Sequence, residues 1–450
     1  VGNLMPAVME AEAGSIPLIL LTCDRPHELR DTGANQTTDQ IKLFGDFVRY
    51  QFDFPRPSNE IPARFFATTV AQGVLKSQYP LPGPVQFNLP FPEPFFGEKK
   101  GKGWEVDPVE IEIPTLKGES THDLGSKRGV IVLGSGRSSD EASALARRLN
   151  FPIFADIISG HREKADPYSI AYYHHILKSL PDLRVDTVIH VGGPFVSKVL
   201  LNWVQKQPEV IHVAKGEKRI DPHHVVTKRL FSCERIQGES IEGWLEEWKA
   251  YERAVTPDLG SFSEPSVVCS FLECDRALFF ANSMPIRDAD LFFFPKKPRA
   301  PIFANRGLSG IDGNIATICG IAHEMPVTAV VGDQTLLHDL NSLAQIEKTK
   351  HPVQIIAINN GGGGIFSFVA IGKRKDLLDR YFAAAHDKTF ENIAKGFGLS
   401  YERIHSLEQL RKSRAQLVEV ITNREENHQL HLEIDAQFQK DLCSSFSTVS

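Results

Sequence analysis

The sequence predicts an α/β protein assembled from small parallel sheets with helices on their faces. Three observations predict it. Apolar runs of strand length recur along the chain, such as PLILLT at 17–22, VIVLG at 130–134 and VTAVVG at 327–332. Strands covered on both faces by helices read in this continuous way. Stretches of helical period separate the runs, and that alternation is the mark of a parallel sheet. Finally, 450 residues exceed what one core accommodates, so two or three domains are expected.

Taken in order, residues 3–13 read as a helix stopped by Gly14, and 16–22 as a buried parallel strand. A parallel strand needs neighbours, and a chain starting here supplies few of them. The first residues, VGNLMPAV, hold neither an initiator Met nor a signal-peptide pattern. Part of the first domain is therefore expected upstream of Val1. A polar loop to about residue 40, a helix near 61–77 and a strand at 83–91 complete a segment over 1–99. Residues 92–125 mix Pro, Gly and charge without a period, and 100–125 are read as a linker. A central α/β unit over 126–255 holds strands at 128–136, 151–157, 185–193 and 209–216, with helices at 139–149 and 242–254. The third unit, 262–436, holds strands at 276–283, 301–307, 327–333, 353–360 and 417–422. Residues 437–450 read as a tail, frayed over the last ten.

Composition excludes several classes. Apolar residues make up 42% and charged residues 24%, as in a globular chain. Fifty basic residues against 56 acidic ones exclude a broad polycationic binder, so no nucleic-acid partner is expected. No apolar run reaches the roughly 18 residues a membrane span needs. Six scattered cysteines do not make a disulfide framework and suit a reducing compartment. Cys23 is read as a buried thiol at a strand end. The pairs His174–His175 and His223–His224 lack zinc spacing and are expected to face solvent. The glycines of LGSGRSSD (133–140) are read as a tight turn before a capped helix rather than as a nucleotide site.

The strongest chemical signal is VVGDQTLLHDLNSL followed by VQIIAINNGGGGIF. Strand, helix and strand bring Asp333 and Asn360 to neighbouring strand tips, at the carboxyl end where open α/β sheets bind ligands. A carboxylate and an amide oxygen there suit a hard cation, Mg²⁺ or Ca²⁺. Glycines 361–364 let the backbone bend close and offer its polar groups. The alternative is a surface turn with a structural Asp. A second element, NRGLSGIDGNIATICGIA at 305–322, combines a glycine-rich loop with a helix expected to begin near Ile311. Free N–H groups at such a start can hold phosphate. Neither GxGxxG nor GxxxxGK[ST] is present, so a diphosphate bridged to one hard metal fits better than a nucleoside.

These residues resemble a known family. GDQTLLHDLN…INN resembles the magnesium–thiamin diphosphate motif. LTCDRPHELRDTGANQ (21–36), NSMPIRD (282–288), NRGLSGIDG (305–313) and INNGGGGIF (358–366) resemble the MenD family, a branch of the thiamin diphosphate-dependent enzymes. The resemblance runs from the first helix to about residue 436. It implies three α/β domains, pyrimidine-binding, central and diphosphate-binding, the first truncated at its N-terminus. It implies thiamin diphosphate with Mg²⁺, or Mn²⁺ in its place, as cofactors. The implied reaction is decarboxylation of 2-oxoglutarate and addition of the resulting carbanion to isochorismate, in menaquinone or phylloquinone biosynthesis. It further implies a homodimer or homotetramer, with the cofactor between the pyrimidine domain of one subunit and the diphosphate domain of another. The compartment implied is the bacterial cytoplasm, or the plastid in a plant or alga.

Carried over residue by residue, the resemblance makes Asp333, Asn360 and the carbonyl of Gly362 metal ligands. Gly332 and Gly361 flank them at the cofactor. Ser309 and Gly310 match the diphosphate loop, and Ile311 the apolar residue that props the cofactor in its bent form. Ile365 and Phe366 match apolar residues beside the reacting carbon. Arg25, Asn35 and Gln36 match the substrate-facing part of the pyrimidine domain, and Ser283, Arg287 and Arg306 the set that holds carboxylates. Both substrates are dicarboxylates, which suits guanidinium forks. Two departures stand out. The family's catalytic glutamate lies upstream of the segment resembling VGNLMPAV, so no residue of this chain matches it; Glu10 and Glu12 sit on the later helix. Little or no activity is expected without it. The family often has a Lys–Arg pair where this chain has Lys198 followed by Val199. The rival readings are another thiamin enzyme, acetolactate synthase-like or 2-oxoacid decarboxylase-like, and a catalytically dead scaffold subunit.

Overall fold

The computed structural model describes residues 1–56, 58, 60–92, 106–112, 121–136, 138–216 and 218–446. They form two compact units. The first comprises the described residues of 1–117 with 216–219 and 306–309, and the second comprises the rest.

In the first unit, helix α1 (Met5–Ala13) has a proline in its first turn, where no N–H partner is lost. It leads into β1 (Leu18–Asp24). Strands β2 (Tyr50–Asp53) and β3 (Pro84–Pro90) complete a parallel sheet of order β1-β3-β2. On β1, Leu20, Thr22 and Asp24 point inward while Ile19, Leu21 and Cys23 are exposed. Strand alternation therefore places Cys23 outside, against the expectation of a buried thiol. Helix α2 (Ala63–Gln78) crosses β3 so closely at Gly73 that a Cβ there would lie 2.2 Å from the Phe87 ring.

The second unit opens with β4 (His122–Asp123) and the strand β5 (Gly129–Leu133), buried at every position. Helix α3 (Ser139–Leu149), β6 (Ile153–Ala155), α4 (Tyr173–Ser179), β7 (Thr187–Val191) and α5 (Lys198–Val204) follow. Then come β8 (Val210–Val213), β9 (Lys228–Leu230), β10 (Ile236–Gln237) and α6 (Trp244–Arg253). Five of the strands form a parallel sheet of order β6-β5-β7-β8-β9, and β10 pairs with β4. Its core is aliphatic, with Phe154, Tyr173, Trp203 and Trp248 packed in it.

The same unit continues through α7 (Glu264–Cys269), β11 (Ala277–Phe280), α8 (Met284–Phe292), β12 (Ile302–Phe303), α9 (Asn314–Ile321), β13 (Val327–Gly332), α10 (Asp333–His338) and β14 (Val353–Asn359). After the short α11 (Lys375–Leu377) and α12 (Glu391–Gly396) come β15 (Tyr401–Ile404), α13 (Leu407–Lys412), β16 (Leu417–Ile421) and α14 (Arg424–Phe446). The second sheet is parallel throughout, in the order β12-β11-β13-β14-β16-β15. Successive residues alternate between two cores: Phe279, Ala329 and Ile355 face one, and Phe280, Val330 and Ile356 the other. Both faces are covered by apolar packing, which is why these strands lack a polar alternation.

Several expectations change. Strands β2, β9 and β15 were not anticipated, because YQFD, KRL and YERI carry too much polarity to read as buried strands. The helix expected at 335–347 is the six-residue α10 followed by a 3₁₀ segment, Leu340–Lys348. The linker at 100–125 lies largely outside the described residues; 106–112 has no regular structure, and β4 occupies its end. The segment 437–450 is not a frayed tail through residue 446. It continues α14, because Ile434, Phe438 and Leu442 recur every fourth residue and are buried in the first core of this unit. The histidines at 174–175 face inward rather than toward solvent: His174 Nδ1 is 2.8 Å from Ser197 Oγ, and His175 Nδ1 is 3.1 Å from Asp435 Oδ1. Among the described residues no helix is long and apolar enough to cross a membrane.

Candidate active site

The second sheet's carboxyl edge is built by register. Gly332 pairs with Ile358, so Asp333 and the Asn359–Asn360 dipeptide emerge side by side from β13 and β14. Asp333 is only 2% exposed. Its Oδ2 accepts from the Gly362 N–H at 2.8 Å, and its Oδ1 accepts from the Gln334 N–H at 2.5 Å. His386 Nε2 lies 3.4 Å from Oδ2. The Lys388 N–H donates to His386 Nδ1, so the ring's proton sits on Nε2, toward the carboxylate. Burial pushes the Asp333 carboxyl above its ordinary range, and the N–H of Gly362 and the nearby imidazole only partly offset this.

The two asparagines are used differently. Asn359 Nδ2 donates to Glu419 Oε1 (2.6 Å) and to the Lys388 carbonyl (2.8 Å), while its Oδ1 accepts from the Gly361 N–H (3.3 Å). It braces the turn. Asn360 Nδ2 donates to Glu264 Oε1 at 2.8 Å, and its Oδ1 is buried with no hydrogen-bond partner. Gly361 and Gly362 take φ values of +75° and +142°, which side-chain-bearing residues rarely adopt. The turn thus gathers a buried carboxylate, an unsatisfied amide oxygen and close backbone. An orphaned buried oxygen is costly unless something meets it. One carboxylate and neutral oxygens are the donor chemistry of Mg²⁺ or Mn²⁺, and the residues fit such an ion.

The neighbouring loop departs from expectation. Helix α9 begins at Asn314 rather than near Ile311. Its first-turn N–H groups are not free: Ile315 and Ala316 donate to Asp339 Oδ2 at 2.7 and 3.1 Å. The Asp339 carboxylate thus takes up two of the N–H groups at the helix start. Asn282 Nδ2 holds the loop's base through the carbonyls of Asn305 and Gly310, both at 2.7 Å. Gly310 is exposed and Ile311 is half-buried.

The other sequence-selected residues are distributed as follows. Ser283, with φ +77°, stands just before α8 without a side-chain cap bond, and its carbonyl accepts from Arg287 Nη1 at 2.6 Å. Ile365 and Phe366 lie in a 3₁₀ turn, Gly364–Phe368, after the glycines, where Phe366 packs against Phe382. Lys198 is exposed at the start of α5, in the other sheet of this unit. In the first unit, Arg25 Nη2 donates to Gln36 Oε1 at 3.3 Å, and Asn35 is exposed. Arg306 and Ser309 belong to that unit too; beside them, the N–H groups of Gly307 and Leu308 donate to the Glu10 carboxylate, each at 2.7 Å. Sequence reading missed Glu264, His386 and Asp339. Glu264 and His386 reach the site across long stretches of chain that no local motif marks, whereas Asp339 lies within GDQTLLHDLN and its partners on α9 were what the motif did not reveal.

Comparisons with known proteins decide the family. The model for the middle domain of thiamine pyrophosphate enzymes matches residues 106–271, and that for their C-terminal TPP-binding domain matches 287–426. A 2-succinyl-5-enolpyruvyl-6-hydroxy-3-cyclohexene-1-carboxylate synthase from Rubrobacter xylanophilus is 37% identical, over 96% of this chain and 84% of its own length. The chain belongs to the MenD family. The synthase of the same name from Salinibacter ruber is 34% identical over 98% of this chain and 84% of its own, and that from Staphylococcus saprophyticus is 30% identical over 96% and 83%. As a MenD-family protein the chain is a thiamin diphosphate-dependent transferase.

Proposed function

We propose that this chain decarboxylates 2-oxoglutarate and adds the resulting succinyl-semialdehyde carbanion to isochorismate, giving 2-succinyl-5-enolpyruvyl-6-hydroxy-3-cyclohexene-1-carboxylate for quinone biosynthesis. The observation that carries the reading is the Asp333–Asn360 strand-tip pair with its buried, unsatisfied amide oxygen, in a chain of this family. Asp333, Asn360 and the Gly362 carbonyl would hold Mg²⁺ or Mn²⁺. Gly332 and Gly361 keep side chains away from that ion. Ser309 and Gly310 would meet the diphosphate, with Ile311 beneath the cofactor. Thiamin diphosphate, when bound, supplies the electron sink for loss of CO₂.

The protein's own residues supply binding, orientation and exclusion of water. Ile365 and Phe366 present an apolar wall, which strengthens charge interactions by keeping water out. The Ser283 carbonyl accepts from Arg287 Nη1, which orients the guanidinium, a group whose planar fork suits a carboxylate. The family resemblance makes Arg306, Arg25 and Lys198 cationic contacts, and Asn35 and Gln36 polar contacts, for the two dicarboxylates. The proposed working unit is a homodimer or homotetramer, as the resemblance implies. The test measures CO₂ release from 2-oxoglutarate, and product mass, with and without isochorismate, thiamin diphosphate and Mg²⁺. It uses the protein with any residues its gene encodes ahead of Val1. Product formation that needs all four is expected; no decarboxylation under these conditions rejects the reading.

A further inference from the structure

The structure assigns Glu264 the role of positioning residue for the metal ligand Asn360: it selects which end of the amide faces the ion. This rests on the metal-site reading above and deepens it. The two ends of a side-chain amide have nearly the same size, so shape alone does not orient it. An N–H₂ end turned toward a cation would repel it; only the oxygen can ligate. At Asn360 the choice is made by one contact. Nδ2 donates to Glu264 Oε1 at 2.8 Å, and this leaves Oδ1 as the buried atom without a partner. Glu264 Oε1 also accepts from the Thr422 hydroxyl, so it is the accepting oxygen of that carboxyl and admits the N–H₂ end of the amide rather than its oxygen.

Glu264 is itself fixed in place. It is 1% exposed and is the first residue of α7, where the helix dipole favours a carboxylate. Ser263 and Ser266 close a reciprocal capping box around it: the Ser266 N–H donates to Ser263 Oγ at 3.1 Å, and the Ser263 N–H to Ser266 Oγ at 2.7 Å. Thr422 Oγ, just past β16, donates to the same Oε1 at 3.0 Å. Two segments remote in sequence, the end of β16 and the turn after β14, thus meet on one carboxylate at the start of α7. Burying an acid this completely is expensive, and the orientation of Asn360 is the function it serves.

The test uses Mn²⁺ as the probe, titrated by electron paramagnetic resonance in the presence of saturating thiamin diphosphate, with thermal melting of the metal-free protein alongside. Glu264→Gln preserves shape but can present either a donor or an acceptor. It is expected to weaken Mn²⁺ binding by about 10- to 100-fold, as loss of an outer partner does, with little change in the metal-free melting temperature. Asn360→Asp alone sets two carboxylates against each other and is expected to lose affinity as well. The double variant Asn360→Asp with Glu264→Gln reverses the polarity of the hydrogen bond and is expected to bind Mn²⁺ more tightly than either single variant. Should Glu264→Gln fold poorly, the double variant carries the test, because it keeps a hydrogen bond at the contact. Wild-type affinity in Glu264→Gln, or a double variant as weak as the two losses combined, overturns the assignment. Absence of Mn²⁺ binding by the wild-type protein overturns the metal-site reading itself, and this assignment with it.

Discussion

The turn after β5 and the turn after β14 begin alike, with a buried apolar strand running into glycines at the carboxyl end of a parallel sheet, yet among the described residues only the second leaves a buried side-chain oxygen unspent. In the first, backbone fills the space that glycine opens. A Cβ at Gly134 would lie 1.9 Å from the Gly193 carbonyl oxygen. The Ser135 N–H donates to the Pro194 carbonyl at 2.9 Å, and the Gly193 N–H to the Ser135 carbonyl at 2.7 Å. His190 and His212 direct Nε2 at the carbonyls of Gly193 and Gly192, at 2.8 and 2.9 Å. Burial pushes His190 down to about 4, so its ring is neutral and Nε2 carries the donated proton. After β14 Asp333 and Asn359 are buried too, but the buried Oδ1 of Asn360 has no partner. Glycine after a strand therefore does not mark a ligand site. The mark is whether the buried donors and acceptors are already used within the chain.

The largest effect should separate the turns outright. Asp333→Ala is expected to reduce Mg²⁺-dependent retention of thiamin diphosphate, read by calorimetric titration, by more than the roughly 10- to 100-fold typical of outer partners. Unchanged affinity would break the contrast. At the closed turn, Gly134→Ala should lower stability by about 3 kcal/mol in chemical denaturation, the cost of overpacking, while leaving cofactor affinity alone.

A third expectation separates stability from ligand binding, because Asp435 belongs to neither turn. Burial alone would raise its carboxyl, but hydrogen bonds from His175 and Lys178 outweigh that and hold it down at about 2. Its folded value lies below its unfolded one, so its contribution is full above the unfolded value and fades as pH falls toward about 2. Asp435→Asn should cost about 1–2 kcal/mol at neutral pH after allowance for solvent screening. Denaturation at pH 3 should show a narrower gap between variant and wild type. The smallest effects test how the closed turns hand over to their helices. Ser197 caps α5, its Oγ accepting from the Leu200 N–H at 3.1 Å, so Ser197→Ala should cost about 1 kcal/mol. Ser138 holds the equivalent position before α3 but makes no cap bond, and Ser138→Ala should stay within about 0.5 kcal/mol. Equal melting shifts would remove that distinction.

Much of this was legible in the chain itself. The apolar runs that became β5, β7, β8, β13 and β14 were readable because both their faces are covered, so each announces itself by composition alone. The adjacency of Asp333 and Asn360 followed from a strand–helix–strand pattern within some thirty residues. Helix α3 was readable to its ends, since its charged face and buried face alternate with the helical period. The polar strands were not, because pairing to a neighbour, rather than apolar content, makes YERI a strand. Nor was the end of α14, whose apolar stripe needs a distant core to gain anything by burial.

By itself, then, the sequence determined the α/β class, the parallel strands and the pair of oxygen-bearing side chains at their tips, since these depend on periodicity and on neighbours close along the chain. Only the tertiary structure decided that Asp339 fills the start of α9, that Asn359 braces the turn while Asn360 keeps an oxygen free, and that Glu264 faces that amide. Those outcomes are hydrogen bonds between residues far apart in sequence, and a donor or acceptor has no preferred partner until folding brings one within about 3 Å of it.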